Sequence, residues 1–219
     1  ARVADCYSGD VKTVLVAALW MICSAAAPAA PVPEDSRIPV DIRRTTFVVR
    51  DIDKSLPLYR DALGLKVIYD ELIGGGTAAD GERKPPTIRL VLLRANDTFI
   101  GALGLMQRLD IPPQPEPKFG KAMPGQTIVV MNIADLDERF AAIEAAPNVK
   151  VATRPTPIEY PAPGGQGKIP VLFSAIWDAD GNFIELNKLL GSAAGMDKPA
   201  DAAADTRPKD AKELRERLQ

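Results

Sequence analysis

The chain has 219 residues, 46% hydrophobic and 26% charged, with a formal net charge of −2. This length supports one core of ordinary size or two small fused cores. A slightly acidic chain without a basic run excludes a typical nucleic-acid binder. It contains no histidine, and its two cysteines are Cys6 and Cys23. The chain after Cys23 therefore excludes a disulfide framework, a histidine-based zinc site and a serine–histidine–aspartate triad.

Residues 11–30 have the pattern of a secretory signal: a lysine, an apolar stretch and a small-residue cleavage zone. The apolar stretch is shorter than the roughly 20 residues that a transmembrane helix needs. We therefore predict a periplasmic or secreted protein with no stable membrane insertion after cleavage. Residues 1–10 do not fit a signal, which favours a translation start at Val11. The Pro-rich residues 31–40 are interpreted as a linker.

From Val40 onward, hydrophobic alternation and turn residues predict a strand, a helix and three strands, and this order then occurs a second time. The first set is Val40–Arg50, a helix between Asp51 and Gly64, Lys66–Leu72, Thr87–Arg94 and Thr98–Gln107. The second set is Gln126–Ile133, a helix from Asp135, Val149–Thr153, Val171–Trp177 and Asn182–Asn187. Loops 74–86 and 155–167 occupy equivalent positions and are predicted lids, whereas the polar tail 191–219 is predicted to be disordered.

Two segments have a distinctive sequence: Val-Val-Arg-Asp with the following Ile52–Leu65, and Asp-Ala-Asp-Gly-Asn-Phe-Ile-Glu-Leu at 178–186. Together they resemble the vicinal oxygen chelate superfamily, which includes glyoxalase I, bleomycin-resistance proteins and extradiol dioxygenases. The resemblance covers about 41–189. It implies an α+β fold in which two βαβββ modules, 41–107 and 126–189, form an open eight-stranded barrel around a cleft.

In that family the first and last strands of each module hold a divalent metal. The positions that correspond to these ligands here are Arg44, Gly104 (or Gly101), Ile128 and Glu185. Of these, only Glu185 is a ligand of the family's type. Because one carboxylate beside a guanidinium does not suit a dication, we predict no metal and no other cofactor.

Two hypotheses describe what replaces the metal. In the first, Arg44 takes the cation's place and pairs with Glu185, so that the site is purely structural. In the second, Arg44 binds a carboxylate or phosphate bidentately. The ligand-binding residues are then Arg44, Gln126, Tyr160, Glu185 and Asn187. A solvated surface charge remains an alternative for Arg44 and Glu185, and a core or rim aromatic remains one for Tyr160 and Trp177.

The resulting prediction is an exported protein that binds a small organic ligand, an anion among the candidates, and that is non-catalytic or metal-independent. The alternative is a metal-dependent glyoxalase- or dioxygenase-type enzyme with a non-standard metal site. A third interpretation is a partner-binding domain that uses the Pro-rich residues 112–117. Two fused modules are compatible with a monomer or a homodimer.

Overall fold

The computed structural model describes residues 33–162 and 167–191, together with positions 212, 215 and 216. The signal and start site expected within residues 1–30, and nearly all of the tail, lie outside the described residues. Within the described ranges, no helix combines the length and hydropathy needed to cross a bilayer.

The order of elements matches the sequence prediction in both halves. The first module contains β1 (Arg44–Val49), α1 (Ile52–Leu56), β2 (Lys66–Ile73), β3 (Gly76–Thr77), β4 (Arg83–Lys84), β5 (Ile88–Arg94) and β6 (Ala102–Arg108). The second contains β7 (Ile128–Asn132), α2 (Leu136–Ala145), β8 (Lys150–Pro161), β9 (Lys168–Trp177) and β10 (Phe183–Leu189).

The first helix begins and ends where its cap residues predict. The Asp51 side chain accepts a hydrogen bond of 3.0 Å from the backbone N–H of Asp53, as an N-cap does. After α1 the helix continues in π form over Pro57–Ala62. Proline cannot donate a backbone hydrogen bond, and a change of helical hydrogen bonding at this point is its expected effect. Gly64, at φ +75°, then ends the helix in the left-handed conformation that glycine tolerates.

Both long loops contain more regular structure than expected. Loop 74–86 carries the two-stranded ribbon of β3 and β4. β8 extends to Pro161 and β9 starts at Lys168, so the lid predicted at 155–167 is largely a hairpin. Proline is tolerated there for two reasons: β8 is the edge of its sheet, and its pairing shifts between Thr153 and Thr156.

Each module forms its own four-stranded sheet, in the orders β1-β6-β5-β2 and β7-β10-β9-β8. In both, the first strand lies parallel beside the last. No ladder joins these two sheets within the described ranges, so the closed arrangement of eight strands stays an expectation.

One hydrophobic core serves both modules. Ile52 and Tyr59 of the first module and Leu136 and Ile143 of the second are all 0% exposed and belong to the same cluster. Alternation along the strands sends one face of each sheet into this core. The opposite face of each sheet lies outside this core.

Two side-chain clusters join the first helix to the turn between β9 and β10. The Tyr59 hydroxyl donates to Asp178 Oδ2 at 2.7 Å. Arg50 Nε donates to Asp180 Oδ1 at 2.8 Å, and the Ser55 hydroxyl donates to Asp180 Oδ2 at 3.4 Å. These contacts fix the placement of one module against the other.

Candidate ligand-binding cleft

A cavity of about 590 Å³ lies between β1, the β9–β10 hairpin and the linker between the modules. We call it the central cleft. Its walls are Thr45–Val48, Lys118–Met123, Gly125–Thr127, Trp177 and Gly181–Phe183. This volume falls within the roughly 300–1,000 Å³ of small-molecule sites.

Three aromatic rings form one wall of the central cleft. The ring centroids of Phe119 and Trp177 are 6.1 Å apart, and those of Trp177 and Phe183 are 5.4 Å apart, both edge to face. Such contacts hold aromatic rings in fixed orientations. The cleft therefore presents a rigid apolar surface.

The linker is fastened over the hairpin beside this wall. Arg50 Nη1 lies 2.9 Å from Glu116 Oε1. A side chain at Gly181 would place its Cβ only 2.9 Å from Pro117 Cβ. Gly181 also has φ +79°, so the tight Asp-Gly turn and the close approach of the linker both require glycine.

The charged groups that line the central cleft are cationic. Lys118 and Lys121 belong to its walls, and no Asp or Glu among the described residues does. Lys150 Nζ lies 3.7 Å from the centroid of Phe119. The cleft thus combines aromatic surface with positive charge.

Strand pairing fixes which residues correspond to the family's metal positions. Gly104 pairs with Thr46 rather than with Arg44, and Glu185 pairs with Val130 rather than with Ile128. The count along the sequence gives Arg44 and Ile128 as the first-strand positions. The residues that pair with Gly104 and Glu185 are instead Thr46 and Val130, each two residues later. Gly101 precedes β6 and takes no part in its ladder.

These positions do not fit a divalent metal. The side chains that would supply ligands are those of Thr46, Val130 and Glu185, which offer one hydroxyl, one isopropyl group and one carboxylate. A zinc or calcium site needs at least three or four donors at short range. In the described part of the chain, no group of three or more His, Cys, Asp or Glu residues is arranged to hold a metal.

In the first module, the Thr46 side chain occupies the space that a ligand side chain at position 104 on the last strand would need. A Cβ at Gly104 would lie 2.6 Å from Thr46 Oγ1 and 3.2 Å from Thr46 Cβ. Any larger residue at 104 therefore overlaps the threonine. The metal position of this module is closed by packing.

Three of the five predicted ligand-binding residues come together on the second sheet. By alternation, Glu185 and Asn187 share one side of β10 with Phe183; Phe183 lines the central cleft, whereas Tyr160, Glu185 and Asn187 lie outside its walls. Burial first, and then the charge of Glu185, raise the pKa of Tyr160, while a hydrogen bond with the Asn187 side chain acts to lower it. Asn187 Oδ1 is buried without a hydrogen-bond partner among the described residues. The half-buried side chains of Tyr160 and Glu185 are the open members of this polar cluster.

The other two residues lie elsewhere. Arg44 is exposed at the start of β1, and within the described ranges it makes no ion pair with Glu185 or any other acid. Gln126 lines the central cleft, where its Oε1 accepts a 2.8 Å hydrogen bond from the backbone N–H of Met123. Its side chain therefore also holds a turn of the linker.

Sequence reasoning missed the cationic and aromatic part of the cleft. Lys118, Phe119 and Lys121 were not singled out, and Trp177 was interpreted as a core or rim residue. A usable signal exists in the sequence. The segment Lys-Phe-Gly-Lys at 118–121 places one aromatic ring between two cations in the linker between the modules.

The fold has relatives among solved structures. A glyoxalase family protein from Bacillus cereus has a TM-score of 0.51 at 12% identity, covering 71% of this chain and 98% of that one. A trypanothione-dependent glyoxalase I from Leishmania major has a TM-score of 0.40 at 18% identity, covering 68% and 86%. A superfamily member from Sphaerobacter thermophilus has a TM-score of 0.44 at 16% identity, covering 68% and 97%. A comparison with curated proteins gives no match.

The sequence profile named Glyoxalase/Bleomycin resistance protein/Dioxygenase superfamily matches residues 41–186. This range contains the first module and the second module up to Leu186 within β10, and it excludes the N-terminal segment and the tail. The chain therefore belongs to the glyoxalase/bleomycin resistance protein/dioxygenase superfamily.

Proposed function

We propose that this protein is an exported member of the superfamily that binds a small aromatic anion in the central cleft without a divalent metal. The observation that carries the proposal is the composition of the cleft wall: three aromatic rings with Lys118 and Lys121, and no acidic residue. The export part rests on the signal-like pattern of residues 11–30.

The aromatic wall favours a flat, apolar ligand body. Phe119, Trp177 and Phe183 all line the cavity and contact one another edge to face through Trp177, so a guest ring in the cavity packs against aromatic surface. Burial of such a ring contributes roughly 25 cal/mol for each Å² removed from water. Aromatic surface is therefore the main source of affinity in this proposal.

The two lysines favour an acidic substituent. Lys118 and Lys121 form no ion pair with the described acidic residues, so a bound carboxylate or sulfonate does not have to displace an internal partner. The polar cluster of Tyr160, Glu185 and Asn187 lies farther along the same face. It suits a hydrogen-bond donor at the other end of a longer ligand.

Fluorescence titration of Trp177 with 2-naphthalenesulfonate tests the proposal. The other tryptophan of the sequence, Trp20, lies in the proposed signal segment that export removes, so Trp177 gives the fluorescence of the exported protein. Quenching should saturate, and binding should weaken about tenfold, equivalent to about 1.4 kcal/mol, in the double variant K118Q/K121Q. Phe119→Ala should also weaken it. Arg154→Gln, on an exposed residue outside the cleft, is the matched control.

The competing function is a metal-dependent enzyme of the glyoxalase or dioxygenase type. Metal analysis of protein purified without a histidine tag separates the two. Stoichiometric Zn, Ni, Mn or Fe, or a turnover that disappears with a chelator, would establish the alternative. Binding of 2-naphthalenesulfonate that is unchanged by EDTA supports the metal-independent site.

A further inference from the structure

A second cavity lies outside the central cleft, on the side of the sheets where the helices pack. It has a volume of about 680 Å³, and both the start of β1 and the later part of β7 line it. We call it the module crevice. Thr45 is the one described residue that lines both cavities, so the two sites are separate spaces on either side of that residue.

The floor of the module crevice is apolar. Leu93 and Leu103 are buried there, and Leu65, Val129 and Met131 are partly buried against the same core. A further apolar side chain, Ile42, lines the mouth and is 81% exposed. An apolar guest would cover this surface and gain from its burial.

The rim of the module crevice carries a net positive charge. Arg44 and Lys66 line it and form no ion pair within the described ranges. The acid on its wall, Asp135, is already held by Arg139 through hydrogen bonds of 2.6 and 3.0 Å. The charges of Asp135 and Arg139 cancel each other. Arg44 and Lys66 therefore remain as two cations that attract an anionic ligand.

We propose that the module crevice binds an amphipathic carboxylate, such as a medium-chain fatty acid, with its carboxylate on Arg44 and its chain on the partly buried Leu65, Val129 and Met131. The planar guanidinium fork matches a carboxylate with two parallel hydrogen bonds. Lys66 adds a point charge at the same rim. This site takes a flexible aliphatic anion, whereas the aromatic wall of the central cleft suits a flat one.

Methionine methyl NMR separates the two sites within one sample. Met131 lines the module crevice and Met123 lines the central cleft, while Met106 lies on β6 and lines neither. Octanoate, titrated below its micelle concentration into protein labelled at the methionine methyl carbons, should shift the Met131 signal saturably. The Met123 signal should stay in place, and Met131→Leu supplies the assignment.

Arg44→Gln should weaken octanoate binding about tenfold, as expected when a charged bidentate contact is lost. Lys66→Gln should have a smaller effect because its exposed charge is screened. Arg44 is exposed, and unchanged Met106 and Met123 signals in Arg44→Gln verify that the fold is intact. Lys121→Gln, in the central cleft, should leave octanoate affinity unchanged. Octan-1-ol should bind more weakly than octanoate by a similar factor.

Three results would overturn the proposal: an unshifted Met131 signal at saturating octanoate, equal affinity of Arg44→Gln and the parent protein, or octan-1-ol binding as tightly as octanoate. A shift of Met123 that is lost in Lys121→Gln would instead assign the anion to the central cleft. Titration with 2-naphthalenesulfonate should shift Met123 alone. The Met131 signal therefore tests octanoate binding in the module crevice, and the Met123 signal separately tests binding of 2-naphthalenesulfonate in the central cleft.

Discussion

Asp178 is 1% exposed, and its side chain is satisfied by four hydrogen bonds. The Tyr59 hydroxyl and Asn182 Nδ2 donate to Oδ2, at 2.7 and 2.8 Å. The backbone N–H groups of Asp180 and Asn182 donate to Oδ1, at 2.9 and 2.8 Å. A buried carboxyl group is tolerated only when partners of this kind replace water. This residue therefore orders the hairpin turn and ties it to the first helix.

Tyr59→Phe should destabilise the protein by about 1–3 kcal/mol, because Asp178 then keeps a buried lone pair without a donor. The free energy of unfolding in urea measures the effect. Tyr69→Phe, at an exposed tyrosine, is the control and should change stability by less than about 0.5 kcal/mol. Equal stability of the two variants would contradict the role assigned to the Tyr59–Asp178 bond.

The same tyrosine makes stability depend on alkaline pH. Burial first, and then the negative charge of Asp178, raise the pKa of Tyr59 well above its ordinary value. The unfolded chain releases this proton near pH 10, whereas the folded protein keeps it. Stability is therefore intact below about pH 10 and falls as pH rises further, because the unfolded state binds fewer protons there. Tyr59→Phe should reduce this slope in urea titrations between about pH 9 and 11.

Gly104 and Thr46 form a matched pair in the first module. Gly104→Ala should destabilise the fold by about 1–3 kcal/mol, as overpacked substitutions do, because the new methyl group overlaps Thr46 Oγ1. In a double-mutant cycle, Thr46→Ala should recover part of that loss. Gly120→Ala, where nothing lies within 4 Å of the added Cβ, is the matched control. Strict additivity of the two changes would show that Thr46 does not close this position.

At the scale of elements, the linker and the β9–β10 hairpin form one wall of the central cleft. Arg50 contacts both: it lies 2.8 Å from Asp180 in the hairpin and 2.9 Å from Glu116 in the linker. Its Nη2 also donates to the carbonyl oxygen of Ala179 at 2.5 Å. The hydrogen bond to Glu116, and after it the one to Asp180, raise the pKa of Arg50. One side chain thus holds two elements of the proposed ligand site.

Arg50→Gln should lower the free energy of unfolding by about 1–3 kcal/mol, the range for hydrogen bonds to charged groups, and should also weaken 2-naphthalenesulfonate binding. The Asp180 side chain is 7% exposed, so it loses a partner that water replaces poorly. Arg154→Gln breaks an exposed pair with Glu144 and should cost at most about 1 kcal/mol. If both variants lose the same stability, Arg50 acts as an ordinary surface charge.

At the scale of the whole molecule, local chemistry explains what was predictable. Asp51, Gly64 and the Asp-Gly turn near 180 are cap and turn residues whose effect depends on their immediate neighbours, and the structure places them as expected. The order of strands and helices follows from short-range periodicity in the same way. Family membership follows from two such segments together.

Long-range geometry explains what was not predictable. The pairing of Thr46 with Gly104 depends on the register between β1 and β6, which are far apart in the sequence. A count along one strand does not determine that register. β8 was predicted too short because its prolines look like loop residues until the strand is known to be an edge. The segment 118–121 shows locally that an aromatic ring stands between two cations, but its position in the cleft depends on where the linker crosses the hairpin.

The parallel ladder between the first and last strands of each module has a consequence for synthesis. β1 is synthesised early, yet β6, the strand that pairs with it within the described ranges, is the last strand of that module to be made. Until β6 is made, the backbone N–H and C=O groups of β1 remain unpaired and can form hydrogen bonds with a strand of another chain. The nascent chain meets the same exposure again with β7, which waits for β10. If synthesis stops after β1 but before β6, or after β7 but before β10, the incomplete module exposes an unpaired strand. Such a chain is prone to aggregate unless a chaperone binds it.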